Sequence, residues 1–144
     1  MNRSFLSAAF GAVLANAPAF ANEVLFDCAD ATGHLYILDE GAGAAGPGWQ
    51  PGTFTSGQVL LVQNDDGLDV LLNDVQGPRS VKETGGVVVS MDSGPDRLVV
   101  DVVYDVSVTR YLFVRYADRA EVIFSHFAHG APVNYGGLYQ AECN

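Results

Sequence analysis

Residues Val87–Phe127 read VVVSMDSGPDRLVVDVVYDVSVTRYLFVRYADRAEVIFSHF. Apolar residues do not recur here every three or four positions, as an amphipathic helix requires. Short β-branched and aromatic runs alternate instead with turn residues, the pattern of consecutive antiparallel strands. The loop Ser93–Asp96 sets Met91 opposite Leu98, Val89 opposite Val100 and Val87 opposite Val102, an apolar inner face with Asp92 beside Arg97 on the outer one. A turn at Asp105-Val106 then sets Asp101 opposite Arg110 and points Tyr111 and Phe113 inward. Closing at Asp118-Arg119 sets Phe113 opposite Phe124, Tyr111 opposite His126 and Arg115 opposite Val122.

In these registers Val99, Val103, Val108, Leu112, Val114, Ile123 and Phe127 share the outer face, and Tyr116 and Glu121 end the patch. A sheet with one wet face alternates apolar and polar residues, and these strands do not. The outer face is therefore the expected binding surface, with Leu112, Val114, Tyr116, Ile123 and Phe127 as its candidate residues. A fold of the Gly-rich segment 39–57 over it is the competing explanation.

The same reading extends outward. Val24–Asp27, His34–Leu38, Val59–Asn64, Leu68–Asn73, Ser80–Thr84 and Leu138–Cys143 are further expected strands. Asp66-Gly67 suits a two-residue hairpin. Gly85-Gly86 suits another, with a glycine bulge that turns Val81 inward. Residues 39–57 hold six glycines, two prolines and the only tryptophan, Trp49, and read as a long loop. Trp49 is expected to cap one end of a barrel, or else to mark a binding loop. The fold class is all-β: an antiparallel meander closed as a small barrel or a β-sandwich.

The ends carry their own signals. Arg3, the apolar run Phe5–Leu14 and Ala19-Phe20-Ala21 after Pro18 read as a secretory signal peptide over residues 1–21, leaving one domain over 22–144. Asp27 precedes Cys28, which argues against lipidation there. Cys28 and Cys143 are the two cysteines of the chain, one near each end. In an oxidising compartment such a pair forms a disulfide, here joining the first and last strands. The periplasm or the medium is the expected location.

At 144 residues the chain is one domain, and a formal charge of −10 argues against nucleic acid and against an anionic membrane surface as partners. No apolar run after residue 21 is long enough to span a membrane as a helix. No nucleophile elbow, dinucleotide fingerprint, P-loop or zincin motif is present. Asn64–Asp69 resembles part of a Ca²⁺ loop but has Val75 where the bidentate Glu belongs, and reads as a polar hairpin tip. His126 and His129, with His34 as a possible third ligand, could supply a zinc site only if His129 lies in a loop. His126 reads better as a partly buried partner of Tyr111. No metal and no cofactor is expected.

Phe26-Asp27-Cys28, Gly48-Trp49, Asp66–Asp74, Gly85 to Val88 and Leu138 to Cys143 together resemble small exported bacterial all-β proteins of unassigned activity. In size, compartment and acidity the chain is also similar to periplasmic inhibitors of c-type lysozyme. Their S-G-x-x-Y stretch is missing, and Lys82 is the only lysine. These resemblances imply export and an all-β domain, and no site.

The expected function is an exported, non-enzymatic β-domain that binds a small ligand or a partner protein, with a homo-oligomer as one form of the latter. The alternatives are a small metal-dependent or carboxylate hydrolase using His34, His126, His129 or Asp69, and an inhibitor of a basic cell-wall hydrolase steered by charge.

Overall fold

The computed structural model describes residues 23–38, 46–74, 76–130 and 134–144, and the side chains of all of these except 54–56. The expected signal peptide lies outside the described residues, as do 39–45 of the Gly-rich segment. Nine strands follow in order: β1 (Glu23–Ile37), β2 (Gly48–Asn64), β3 (Gly67–Asp74), β4 (Gly77–Ser80), β5 (Val87–Ser93), β6 (Arg97–Tyr104), β7 (Ser107–Arg115), β8 (Ala120–Ala128) and β9 (Tyr135–Cys143). They form one antiparallel sheet in the order β4-β3-β2-β1-β9-β8-β7-β6-β5, curled into a half-barrel. Among the described residues there is one curled sheet and no second sheet to make a sandwich, and the expected barrel is only half closed.

First and last strands are neighbours at the centre of the sheet. Cys28 pairs directly with Cys143, and the two sulfurs are bonded. From this centre the chain meanders to both edges, so the connection from β4 to β5 must cross from one edge to the other. Residues 81–86 make that crossing. Val81 N donates to Val70 O at 2.9 Å, Gly86 N donates to Val81 O at 2.8 Å, and Lys82 Nζ donates to Asp66 O at 3.0 Å. The hydroxyls of Thr84 and Tyr104 meet at 2.8 Å. Val81 is buried, as expected, but from a turn: β4 ends at Ser80, and Gly85-Gly86 forms no hairpin. Gly86 is required where it stands, because a Cβ there would sit 2.5 Å from Val81 and 2.8 Å from the Tyr104 ring.

The hairpin β6–β7 keeps the expected register, with Asp101 opposite Arg110. Nε and Nη2 of Arg110 each donate to a carboxylate oxygen at 2.7 Å, and this pairing holds the Asp101 carboxyl below its ordinary range. The β7–β8 turn lies one residue earlier than expected, at Ala117-Asp118, which slips the register by two residues. Tyr116 N donates to Arg119 O, so Tyr111 faces Phe124, Phe113 faces Val122, Arg115 faces Ala120 and Thr109 faces His126. A two-residue slip leaves every side chain on its expected face.

Strand β5 does not keep its face. The pairs are Ser93 with Leu98, Val88 with Val102 and Val87 with Val103, with a bulge at Met91. Val87 and Met91 are therefore 57% and 56% exposed, and Val88 turns inward. The interior beside β5 is already filled by Val81 and Tyr104, and an edge strand with one bulge shifts phase at little cost.

The expected loop 39–57 is strand from Gly48 onward. Pro51 is tolerated because β2 pairs with β3 only from Gln58, so Pro51 lies where that side of the strand is a free edge. The first turn is Asp65-Asp66, one residue earlier than expected, with Asn64 Oδ1 accepting from Asp66 N at 3.0 Å and Gly67 at φ 95°.

The inner face is packed tightly at one end. Phe26, Phe113, Tyr111, Phe124 and Tyr139 form a column of rings with successive centroids 5.0–5.7 Å apart. Leu61, Val70, Val100 and Val122 close around it. Tyr139 lies over a bed of glycines: a Cβ on Gly33, Gly52 or Gly137 would sit within 2.8 Å of its ring atoms.

Candidate functional site: an interior cavity

Beyond the Tyr111–Phe124 rung the interior changes character. The next inward pair is Thr109 and His126, and past them the half-barrel is hollow. The cavity has a volume of about 280 Å³ and is walled by every strand except β5. Its apolar wall includes Cys28, Ala31, Val59, Leu72, Val102 and Phe124. The bend in β1 creates part of this room. Asp30 takes a left-handed φ of 55°, the registers of β1 with β2 and with β9 both shift there, and Ala31 contributes only a methyl group.

Thr109, His126 and Tyr135 bring polar groups together on the β7–β9 wall, and Gln58, Asn73, Tyr104 and Ser107 also line the cavity. Thr109 Oγ1 lies 2.6 Å from His126 Nδ1, and Tyr135 Oη lies 3.1 Å from His126 Nε2. Burial pushes His126 below the ordinary imidazole range, so the ring is neutral at pH 7. The buried Tyr111 hydroxyl hydrogen-bonds with Thr109, and burial raises its pKa, so it stays protonated. At the lip, Arg79 Nη2 and Asp74 Oδ2 form an ion pair in which each charge answers the other. A concave, largely apolar space with a few convergent polar groups is the usual composition of a small-molecule site. A larger groove of about 550 Å³ crosses the outer face beside His34 and Pro51, but it is shallow and lacks enclosing walls.

The residues expected to bind lie elsewhere. Trp49, Leu112, Val114, Ile123 and Phe127 point outward, and Tyr116 stands at the hairpin tip beyond them, its hydroxyl donating to Glu121 at 2.6 Å. Among the described residues Trp49 plugs no barrel end: it is 69% exposed and packs edge-on against Tyr36, ring centroids 5.2 Å apart. In strand register a stripe runs Trp49, Tyr36, Gly136, Phe127, Val108, Val103, Val87 across seven strands. Phe127 lies over Gly136, where a Cβ would come within 2.7 Å of its ring.

The three histidines are not brought together. His34 points outward opposite Leu138, His126 points inward, and His129 follows β8, its N donating to Val106 O. His126 is partly buried, as expected, but its partners are Thr109 and Tyr135 rather than Tyr111. Asp69 is buried, with Oδ2 accepting from Ser80 Oγ at 2.5 Å and Oδ1 from Val70 N at 2.8 Å. Among the described residues no three of His, Cys, Asp and Glu approach as a metal-ligand set. Among the described residues no helix is long and apolar enough to cross a membrane.

Thr109, Tyr135 and the Asp74–Arg79 lip escaped the sequence reading. The available signal was polarity at inward positions: counting outward along β7 and β8, the interior runs Phe113, Tyr111, Thr109 and Val122, Phe124, His126. Comparison with family models, curated proteins and solved structures finds no match to this chain.

Proposed function

We propose that this chain is an exported, non-enzymatic β-domain that holds a small molecule inside its half-barrel. The carrying observation is the partly open cavity of about 280 Å³, with Thr109, His126 and Tyr135 on one wall. Engineered apolar cavities of about 150 Å³ take benzene, so a space nearly twice as large accommodates a ligand of one or two rings. The Cys28–Cys143 disulfide suits an oxidising compartment, the periplasm or the medium. Binding of 1-naphthol, measured by equilibrium dialysis, tests this reading. Val102→Phe, which adds a ring to the cavity wall, is expected to abolish binding while the protein still melts cooperatively. Equal binding by both proteins would place the probe elsewhere and refute the reading.

The exposed outer stripe favours a second reading, in which a partner protein covers that face. Contiguous exposed apolar surface on a monomer marks an interaction site. Sedimentation of wild type and Phe127→Asp tests its homo-oligomeric form: association in wild type, lost in the variant, supports it, and a wild-type monomer at high concentration counts against it.

A further inference from the structure

We infer that the cavity takes an uncharged molecule of one or two rings bearing a single hydroxyl or carbonyl group, seated against the Thr109–His126–Tyr135 wall. The inference rests on the reading of the interior as a ligand site and specifies the chemistry that site selects.

The polar wall behaves as a chain of groups that each donate one hydrogen and accept another. A neutral imidazole has one N–H and one lone pair. If Nδ1 accepts from the Thr109 hydroxyl, Nε2–H donates to Tyr135 Oη, and the phenolic hydrogen of Tyr135 is left for the cavity. In the other tautomer Tyr135 donates to Nε2, Nδ1–H donates to Thr109 Oγ1, and Tyr135 Oη offers a lone pair instead. The wall therefore gives a hydrogen in one state and receives one in the other. A carbonyl matches the first state and a hydroxyl matches both.

Charge narrows the class further. Asp74 and Arg79 are the ionised side chains at the cavity, and they are paired with each other at its lip. His126 is neutral. A carboxylate or ammonium ligand pushed against this wall would lose water and gain no counter-ion, which is strongly unfavourable. The remaining lining combines Cys28, Val59, Leu72, Val102 and Phe124, which suit the flat faces of rings, with the uncharged polar residues Gln58, Asn73, Tyr104 and Ser107.

Three probes sharing one skeleton separate these claims: naphthalene, 1-naphthol and 1-naphthoate, each measured by equilibrium dialysis against the disulfide-intact protein at pH 7.5. The expected order is 1-naphthol tightest, naphthalene weaker by roughly threefold to tenfold for one lost hydrogen bond, and 1-naphthoate weaker by at least about a hundredfold. Tyr135→Phe keeps the ring and removes the hydroxyl, and is expected to bring 1-naphthol down to the level of naphthalene. His126→Leu should do the same if it folds, and Tyr135→Phe decides the point if it does not. Naphthalene binding as tightly as 1-naphthol would refute the polar wall and leave the cavity standing. Tight 1-naphthoate binding would refute the uncharged class and point to Arg79. Binding of none of the three would refute the ligand-site reading itself, and this inference with it.

Discussion

The Thr109 hydroxyl lies 2.6 Å from Nδ1 of His126, across the β7–β8 ladder. This pair marks the level at which the interior passes from packed to hollow. Below it, Phe113 is fully buried against Phe26 and Tyr111, and Tyr111 and Phe124 form the floor of the cavity. At its own level, two smaller polar side chains hold each other to one wall and leave the middle empty. Both the stability of the half-barrel and the chemistry of its cavity turn on that rung.

Stability should depend on pH through His126. Burial lowers its folded pKa beneath the unfolded value near 6.5, so the unfolded chain binds more protons at mildly acid pH. The contribution is fully present above the unfolded pKa and is lost as pH falls through the folded one. Thermal melts at pH 7.5 and 5.0 should show a loss at the lower pH, and His126→Gln should reduce that loss. An unchanged pH dependence in the variant would show that other groups cause it.

The disulfide closes a sequence separation of 115 residues, nearly the whole described domain. On the chain-entropy model its removal costs about 4–5 kcal/mol. Denaturant titration of Cys28→Ser, or of wild type in reductant, should show a loss of several kcal/mol. A midpoint unmoved by reductant would mean that the bond contributes nothing to the folded state.

Gly33→Ala should be severely destabilising, because the added Cβ would sit 2.0 Å from the Leu138 carbonyl oxygen and 2.7 Å from Tyr139 Cα, both backbone. A loss of about 3 kcal/mol or more is expected, at the upper end of overpacking costs. Gly94→Ala is the control, since its nearest neighbour is Arg97 Cγ at 3.6 Å. Similar melting temperatures for the two variants would contradict the packing of β1 against β9.

Much of the fold was legible, and the reason differs by element. The pairing of Asp101 with Arg110 follows from a two-residue turn that leaves no slack, and opposite charges mark it. The β7–β8 slip was invisible because moving by two residues keeps Phe113 and Phe124 inside either way. β5 was misread because three consecutive valines, Val87–Val89, fit either phase, and a bulge at Met91 decides between them. The stretch 48–57 was misread because Gly and Pro signal loops except on a free sheet edge, which no local pattern reveals. The cavity was the least legible feature. It consists of space that side chains from eight strands fail to fill, whereas sequence patterning shows only what each strand presents.

Leu112 and Ile123 face each other on the outer side, half-buried. Leu112→Asp and Ile123→Asp should each leave the protein folded, with circular dichroism and a cooperative melt retained. Unfolding of either single variant would make this face a second core and remove it as a surface for partners.

On the proposed reading the inner face, not the outer stripe, receives a small molecule. Chemical-shift mapping on isotope-labelled protein titrated with 1-naphthol tests it most directly. Saturable shifts are expected at Leu72, Val102, Thr109, His126 and Tyr135, with Trp49, Tyr36 and Phe127 unmoved. Shifts confined to Trp49, Tyr36 and Phe127, with the inner face silent, would contradict it.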